Sequence, residues 1–165
     1  MIKENILQAL NNQIEAEANA SQIYLAMASW ADTKGLEGVS AFLFAHSEEE
    51  RMHMLKLVKF VNERGGKAKI PALEMPKQDY NNLHELFELL LAHEVKVSEQ
   101  INDMVDLTLN EKDYTTHNFL QWYVSEQIEE ERLARIILDK LRLIGDDKGG
   151  MYLFDRDIST FNAAE

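Results

Sequence analysis

Four long stretches of this chain carry apolar residues at alternating steps of three and four, and near its middle each run gives way to a glutamate or glutamine. The first reads Leu7, Leu10, Ile14, Glu17, Ser21, Tyr24, Ala28, Ala31; the second reads Val39, Leu43, His46, Glu50, His53, Leu57, Phe60. The third is Leu83, Phe87, Leu90, Glu94, Val97, Ile101, Met104, and the fourth Leu120, Tyr123, Gln127, Glu130, Ala134, Ile137, Leu141, Ile144. Residues at that spacing fall on one face of an α-helix, so each run is the buried stripe of a bundle helix. The pattern predicts α1 over about 4–33, α2 over about 38–64, α3 over about 82–109 and α4 over about 113–144. The fold class is therefore all-α, an antiparallel four-helix bundle.

The connections select the topology. The α1–α2 and α3–α4 links are short and make antiparallel neighbours. Between α2 and α3 lie residues 65–81, which hold both prolines, Pro71 and Pro76, after Gly65 and Gly66. At ~3.3 Å per extended residue, this link can run the length of a helix that rises ~1.5 Å per residue. A long connection without secondary structure is uncommon in a compact domain, and here it predicts a crossover. After Gly149 and Gly150, the apolar segment from Met151 to Ile158 predicts a short fifth helix at about 150–160 that covers the bundle or a neighbouring subunit. The whole chain, 1–165, reads as one domain with its bundle at about 4–145.

Composition narrows the chemistry. A net charge of −12 disfavours nucleic acid and anionic membrane as partners, because both repel it. The absence of cysteine excludes disulfides, thiolate zinc sites and iron–sulfur clusters. No signal-peptide-like or membrane-spanning apolar run is present, which predicts a cytoplasmic location.

The polar members of the seams form a repeat. Glu17 to Glu50 and Glu94 to Gln127 both span 33 residues, and the two pairs are offset by 77. Each second member has a partner three residues on, His53 after Glu50 and Glu130 after Gln127. Residues three apart stack on one helix face and can address one centre together. With antiparallel helices matched at their midpoints, all six converge at one level. Four carboxylates buried there without compensation are costly, whereas two divalent cations neutralise Glu17, Glu50, Glu94 and Glu130. Oxygen and imidazole donors without sulfur suit iron or manganese, with zinc and calcium as other occupants. A seam glutamate standing alone would be read as a hydrogen-bonded core group; six at one depth are read as a metal site.

Residues beside this set extend it. Glu49, Glu126 and Glu129 adjoin it as a weaker third cation site, although Glu129 alone reads equally as a solvated acidic residue. His46, four residues before Glu50, is expected to support a ligand rather than bind metal. Tyr24, two turns beyond Glu17, is placed to reach a ligand carboxylate or donate an electron, or else is a core tyrosine. Trp122 lies one position off its seam and reads as core or interface.

The Glu … Glu-x-x-His … Glu … Gln-x-x-Glu set, with the crossover and short fifth helix, resembles the bacterial-type non-haem ferritins over essentially the whole chain. The stretch Asn118-Phe119-Leu120-Gln121-Trp122-Tyr123-Val124-Ser125-Glu126-Gln127 is especially similar. The resemblance implies a ferritin-like bundle and a ferroxidase di-iron site: Glu17, Glu50 and His53 hold one iron, Glu50 bridges, and Glu94, Gln127 and Glu130 attend the second. It implies a third iron on Glu49, Glu126, Glu129 and Glu130, a functional tyrosine at Tyr24, and a shell of twenty-four subunits that stores ferric mineral. Bacterioferritins are similar but carry a second Glu-x-x-His where this chain has Gln127 and Glu130. Their haem-binding Met follows the second-helix Glu, where Arg51 stands here, so no haem is expected. Rubrerythrins add a four-cysteine iron site that this chain cannot form.

The expected reaction is oxidation of ferrous iron by dioxygen, or peroxide, with the ferric product moving to an acidic interior. The neutral Gln127 is expected to weaken retention of ferric ion and favour transit. Two other classes stay open at this point: a di-iron oxidoreductase acting on peroxide or an organic substrate without storage, and a static binding bundle.

Overall fold

The computed structural model describes residues 2–161. Residues 1 and 162–165 of the expected 1–165 domain lie outside the described residues. The elements are α1 (Glu4–Thr33), α2 (Glu37–Glu63), α3 (Leu83–Asn110), α4 (Tyr114–Ile144) and α5 (Lys148–Asp157), followed by a 3₁₀ turn at Ile158–Thr160. The bundle boundaries differ from the sequence reading by one residue at most. The fifth helix starts two residues earlier, because the Asp147 carboxylate caps it by accepting from the Gly150 N–H.

Local chemistry sets the other ends. Asn82 caps α3 by accepting from Glu85 N at 2.8 Å, and Asp113 caps α4 by accepting from Thr116 N at 3.1 Å. Asp113 also pairs with Arg64 at the end of α2, at 3.1 Å, which ties the two helix pairs together at that end of the bundle. The first three helices stop in the same hydrogen-bonded turn, in which the residue after the cap takes a left-handed conformation. Gly35 and Gly65 supply it without strain at φ 74° and 77°, and Lys112 adopts it at φ 58°.

Helix α1 packs on α2 and α3 on α4, with α1 also against α3. The crossover is fastened along α1. Near one end the Asn11 side chain donates to Lys67 O at 3.3 Å and accepts from Lys69 N at 2.7 Å. Near the other end the Trp30 and Tyr80 rings meet edge to face at 5.5 Å. The link therefore traverses the bundle, as its length predicts.

Two apolar cores result. One, holding Met27, Phe42, Leu43, Phe87, Ile137 and Leu138, is closed by Phe154 and Ile158 of the fifth helix and the turn after it. The other holds Leu10, Ile14, Leu57, Ile101, Leu120 and Tyr123. The layer that separates them is polar. No helix among the described residues is long and apolar enough to cross a membrane.

Candidate metal centre

The dividing layer consists of the six seam residues. Glu17, Glu50, His53, Glu94, Gln127 and Glu130 are 1–6% exposed, so they occupy core positions while carrying polar groups. Donor atoms of Glu17, Glu50 and His53 lie within 4.8 Å of one another, and so do those of Glu50, Glu94 and Glu130. Glu50 belongs to both groups, which makes it the junction of the α1–α2 and α3–α4 halves. His53 Nδ1 stands 3.4 Å from Glu50 Oε2 and 3.9 Å from Glu17 Oε2.

The surrounding bonds fix these groups in place. Gln13 Nε2 donates to Glu17 Oε1 at 2.7 Å, and Tyr123 donates to the His53 carbonyl at 2.8 Å. The Tyr24 hydroxyl donates to Glu94 Oε1. Gln127 Nε2 donates to both the carbonyl and Oε2 of Glu94 at 3.1 Å, so its amide is engaged in orienting Glu94. His46 Nε2 lies 2.8 Å from Glu130 Oε2, and the imidazole stacks on Phe42. His46 thus meets the buried set through Glu130. Glu50 Oε1 is buried with no hydrogen-bond partner among the described residues. An orphaned carboxylate oxygen is costly, and a cation coordinated between the halves would satisfy it.

Electrostatics point the same way. Burial first, and the Glu50 charge second, push the Glu17 carboxyl well above the usual carboxylate range. Burial and the Glu94 charge do the same to Glu50. Glu94 is raised to about 7 by burial and by Glu130, against the opposing hydrogen bonds from Tyr24 and Gln127. Burial alone would lower His46, yet its bond to Glu130 and the charges of Glu130, Glu49 and Glu94 raise it above the ordinary imidazole value. Metal-free, this layer holds protons that a divalent cation would displace.

The acidic neighbours divide. Glu49, His53 and Glu126 form a third group of donors within 4.8 Å, and His46, Glu49 and Glu130 a fourth. Glu129 is exposed and joins none of these groups. Burial, with help from Glu130, Glu49 and Glu129, raises the Glu126 carboxyl. Trp122 is neither core nor distant from the site: it is 37% exposed and its ring meets that of His53 edge-on at 5.2 Å. Gln127 Nε2 also donates to Ser98 Oγ at 3.4 Å, and neither Gln13 nor Ser98 was singled out in the sequence, while Tyr123 was read only as a core residue of its seam. Only the i, i+4 spacing of Gln13 and Glu17 offered a signal, since the other two act across helices.

Comparison with known proteins identifies the family of the fold. A model of the ferritin family, described as a ferritin-like domain, matches residues 7–144. The chain is 44% identical over 162 residues to a probable bacterial non-heme ferritin-like protein of Haemophilus influenzae, covering 98% of each chain. It is 43% identical over 158 residues to a bacterial non-heme ferritin of Campylobacter jejuni, covering 96% of this chain and 95% of that one. Among solved structures, the open-pore ferritin of Archaeoglobus fulgidus superposes with a TM-score of 0.94 at 44% identity, over 96% of both chains. Family match, near-complete coverage and the shared bundle establish that this chain belongs to the ferritin family.

Proposed function

We propose that this protein stores iron, oxidising ferrous ion with dioxygen at the buried carboxylate layer and depositing the ferric product inside a shell built from its own copies. The observation that carries this reading is the position of Glu50. Its carboxylate is common to two groups of ligand-type donors, and one of its oxygens has no partner among the described residues. A bridging carboxylate holds two cations close enough to give electrons to one oxidant.

Ferrous iron is the substrate here. Two ferrous ions bring +4 to the four buried glutamates and displace the protons that burial keeps on Glu17, Glu50 and Glu94 when metal-free. Each ion then gives one electron to dioxygen, and the two-electron product is hydrogen peroxide. Hydrolysis of the two ferric ions to oxyhydroxide takes four waters and releases six protons, of which the peroxide takes up two, leaving four to be released. Gln13, Tyr24, His46, Tyr123 and Gln127 keep the carboxylates and His53 oriented through this change, and the two flanking apolar cores restrict water. Gln127 contributes no charge, which favours release of ferric ion over its retention. Glu49, Glu126 and Glu130, with Glu129 at the surface, are assigned the expected third position flanking the pair. A homo-oligomeric shell of twenty-four copies and a cytoplasmic location complete the reading, by likeness to non-heme ferritins.

The test is aerobic addition of many ferrous equivalents per chain to metal-free protein. The expected result is a soluble ferric core that co-elutes with a large shell, with oxidation lost in Glu50→Ala. Ferric precipitate outside the protein, or a particle no larger than a dimer, refutes storage. A few equivalents oxidised and then permanently retained would instead mark a resident di-iron oxidoreductase.

A further inference from the structure

The buried layer has an opening between α2 and α4, a cleft of about 490 Å³ lined by Glu49, Met52, His53, Lys56, Trp122 and Glu126. The helices dictate this lining, because Glu49, Met52, His53 and Lys56 follow the i, i+3, i+4, i+7 spacing of one face, and Trp122 and Glu126 are one turn apart. His53 borders both the cleft and the buried group with Glu17 and Glu50. A larger groove of about 780 Å³ runs between α1, α3 and the crossover beside His93. Among the described residues, however, it brings no three metal-type donors together, so the smaller cleft is the one equipped for cations.

That cleft already contains a cation belonging to the chain. Lys56 Nζ sits 3.4 Å from the centre of the Trp122 ring, and Glu126 is close enough to attract it. The tryptophan face holds the ammonium by cation–π attraction while leaving it unbonded to either carboxylate. A divalent ion held by Glu49, His53 and Glu126 would share a confined space with this positive charge. Repulsion at such range weakens its binding unless the ammonium leaves. A lysine on a flexible four-carbon stem at a half-buried position can leave, swinging into water at little cost. The contact is therefore a reversible plug whose charge matches that of the substrate.

We propose that Lys56, docked on Trp122, gates the cleft, setting the ferrous concentration needed for ions to pass Glu49 and Glu126 without taking part in their oxidation. The proposal rests on the iron-oxidising reading given above. Trp122 is the seat of the gate, with the Lys56 ammonium on its face and the His53 ring 5.2 Å away.

The test uses the assembled protein and two substitutions. Lys56→Met keeps the stem and removes the charge, whereas Lys56→Arg keeps both the charge and the ring contact. Initial rates of aerobic iron oxidation are expected to show the KM for Fe²⁺ falling about threefold to tenfold in Lys56→Met, the scale of one close surface charge interaction, with kcat unchanged. Lys56→Arg is expected to match the unaltered chain, and the Met effect to shrink in high salt. Calorimetric titration with Zn²⁺, which undergoes no oxidation, is expected to give the same fold-change in affinity. An unaltered KM and Zn²⁺ affinity in Lys56→Met overturns the gate, as does an equal shift in Lys56→Arg, which would indicate packing rather than charge. Those results presuppose that the unaltered chain oxidises iron and Glu50→Ala does not; failure of that control removes the functional reading instead.

Discussion

Glu94 should make the metal-free protein less stable as the pH rises, and replacing it with glutamine should make that protein more stable at the expense of its chemistry. In the fold, burial and the neighbouring Glu130 raise the Glu94 carboxyl from 4.5 to about 7. Below pH 4.5 both folded and unfolded chains hold this proton, and it contributes nothing. Between 4.5 and 7 the folded chain keeps a proton that the unfolded chain has lost, so stability falls with increasing pH. Above 7 the full penalty applies, about 3 kcal/mol for a displacement of this size at 1.36 kcal/mol per pH unit. Glu94→Gln preserves the shape, can accept from Gln127 and can donate to the Tyr24 hydroxyl, and carries no charge. It also relieves Glu50, whose carboxyl is raised partly by the Glu94 charge. Calorimetric melting of chelator-treated protein at equal concentrations is the assay. At pH 8 the variant should melt roughly 6–12 °C above the unaltered chain, and at pH 5 within a few degrees of it. Saturating Zn²⁺ should narrow or reverse the order at pH 8, because the cation neutralises a carboxylate that the variant lacks. A difference in melting temperature that is the same at both pH values, or a variant no more stable at pH 8, refutes the reasoning.

Two further substitutions probe other parts of the argument. Gly38→Ala places a Cβ 1.7 Å from the Asp155 carbonyl oxygen, where α5 crosses the start of α2. It should cost about 3 kcal/mol and expose the 145–147 linker to limited proteolysis as Phe154 and Ile158 undock; unchanged melting and cleavage contradict this close approach. Gln127→Glu replaces a donor to Glu94 with a second carboxylate 3.1 Å away. The added charge should bind ferric ion more tightly and slow recovery of the fast oxidation phase between iron additions at least about tenfold, and unaltered recovery contradicts the transit role of the amide.

Much of the fold was legible because helical burial has a period. The seams from Leu7 to Ala31 and from Leu83 to Met104 locate both helix and core face without tertiary information, and the length of 65–81 leaves a crossover as the economical connection. The polar layer was legible for the same reason, since Glu17, Glu50, Glu94 and Gln127 interrupt apolar stripes at equal spacing. Contacts between helices were less so. The 33-residue spacing says that Glu17 and Glu50 share a level, but not that Glu50 joins both groups or that the Gln127 amide turns toward Glu94. Glu129 shows the limit of one-dimensional spacing: it lies on the acidic run with Glu126 and Glu130, but spacing does not say that it is exposed while Glu126 is half-buried and Glu130 buried.

By itself, then, the sequence determined the bundle, its crossover and the six residues of the buried layer, because each follows from periodicity within a single helix or from the reach of a single link. The tertiary structure decided the rest. His46 against Glu130, Tyr24 against Glu94, Tyr123 against the His53 carbonyl and Lys56 over Trp122 all depend on how one helix is rotated and shifted against another. That rotation is fixed by the summed packing of two apolar cores, a property that no local pattern of residues encodes.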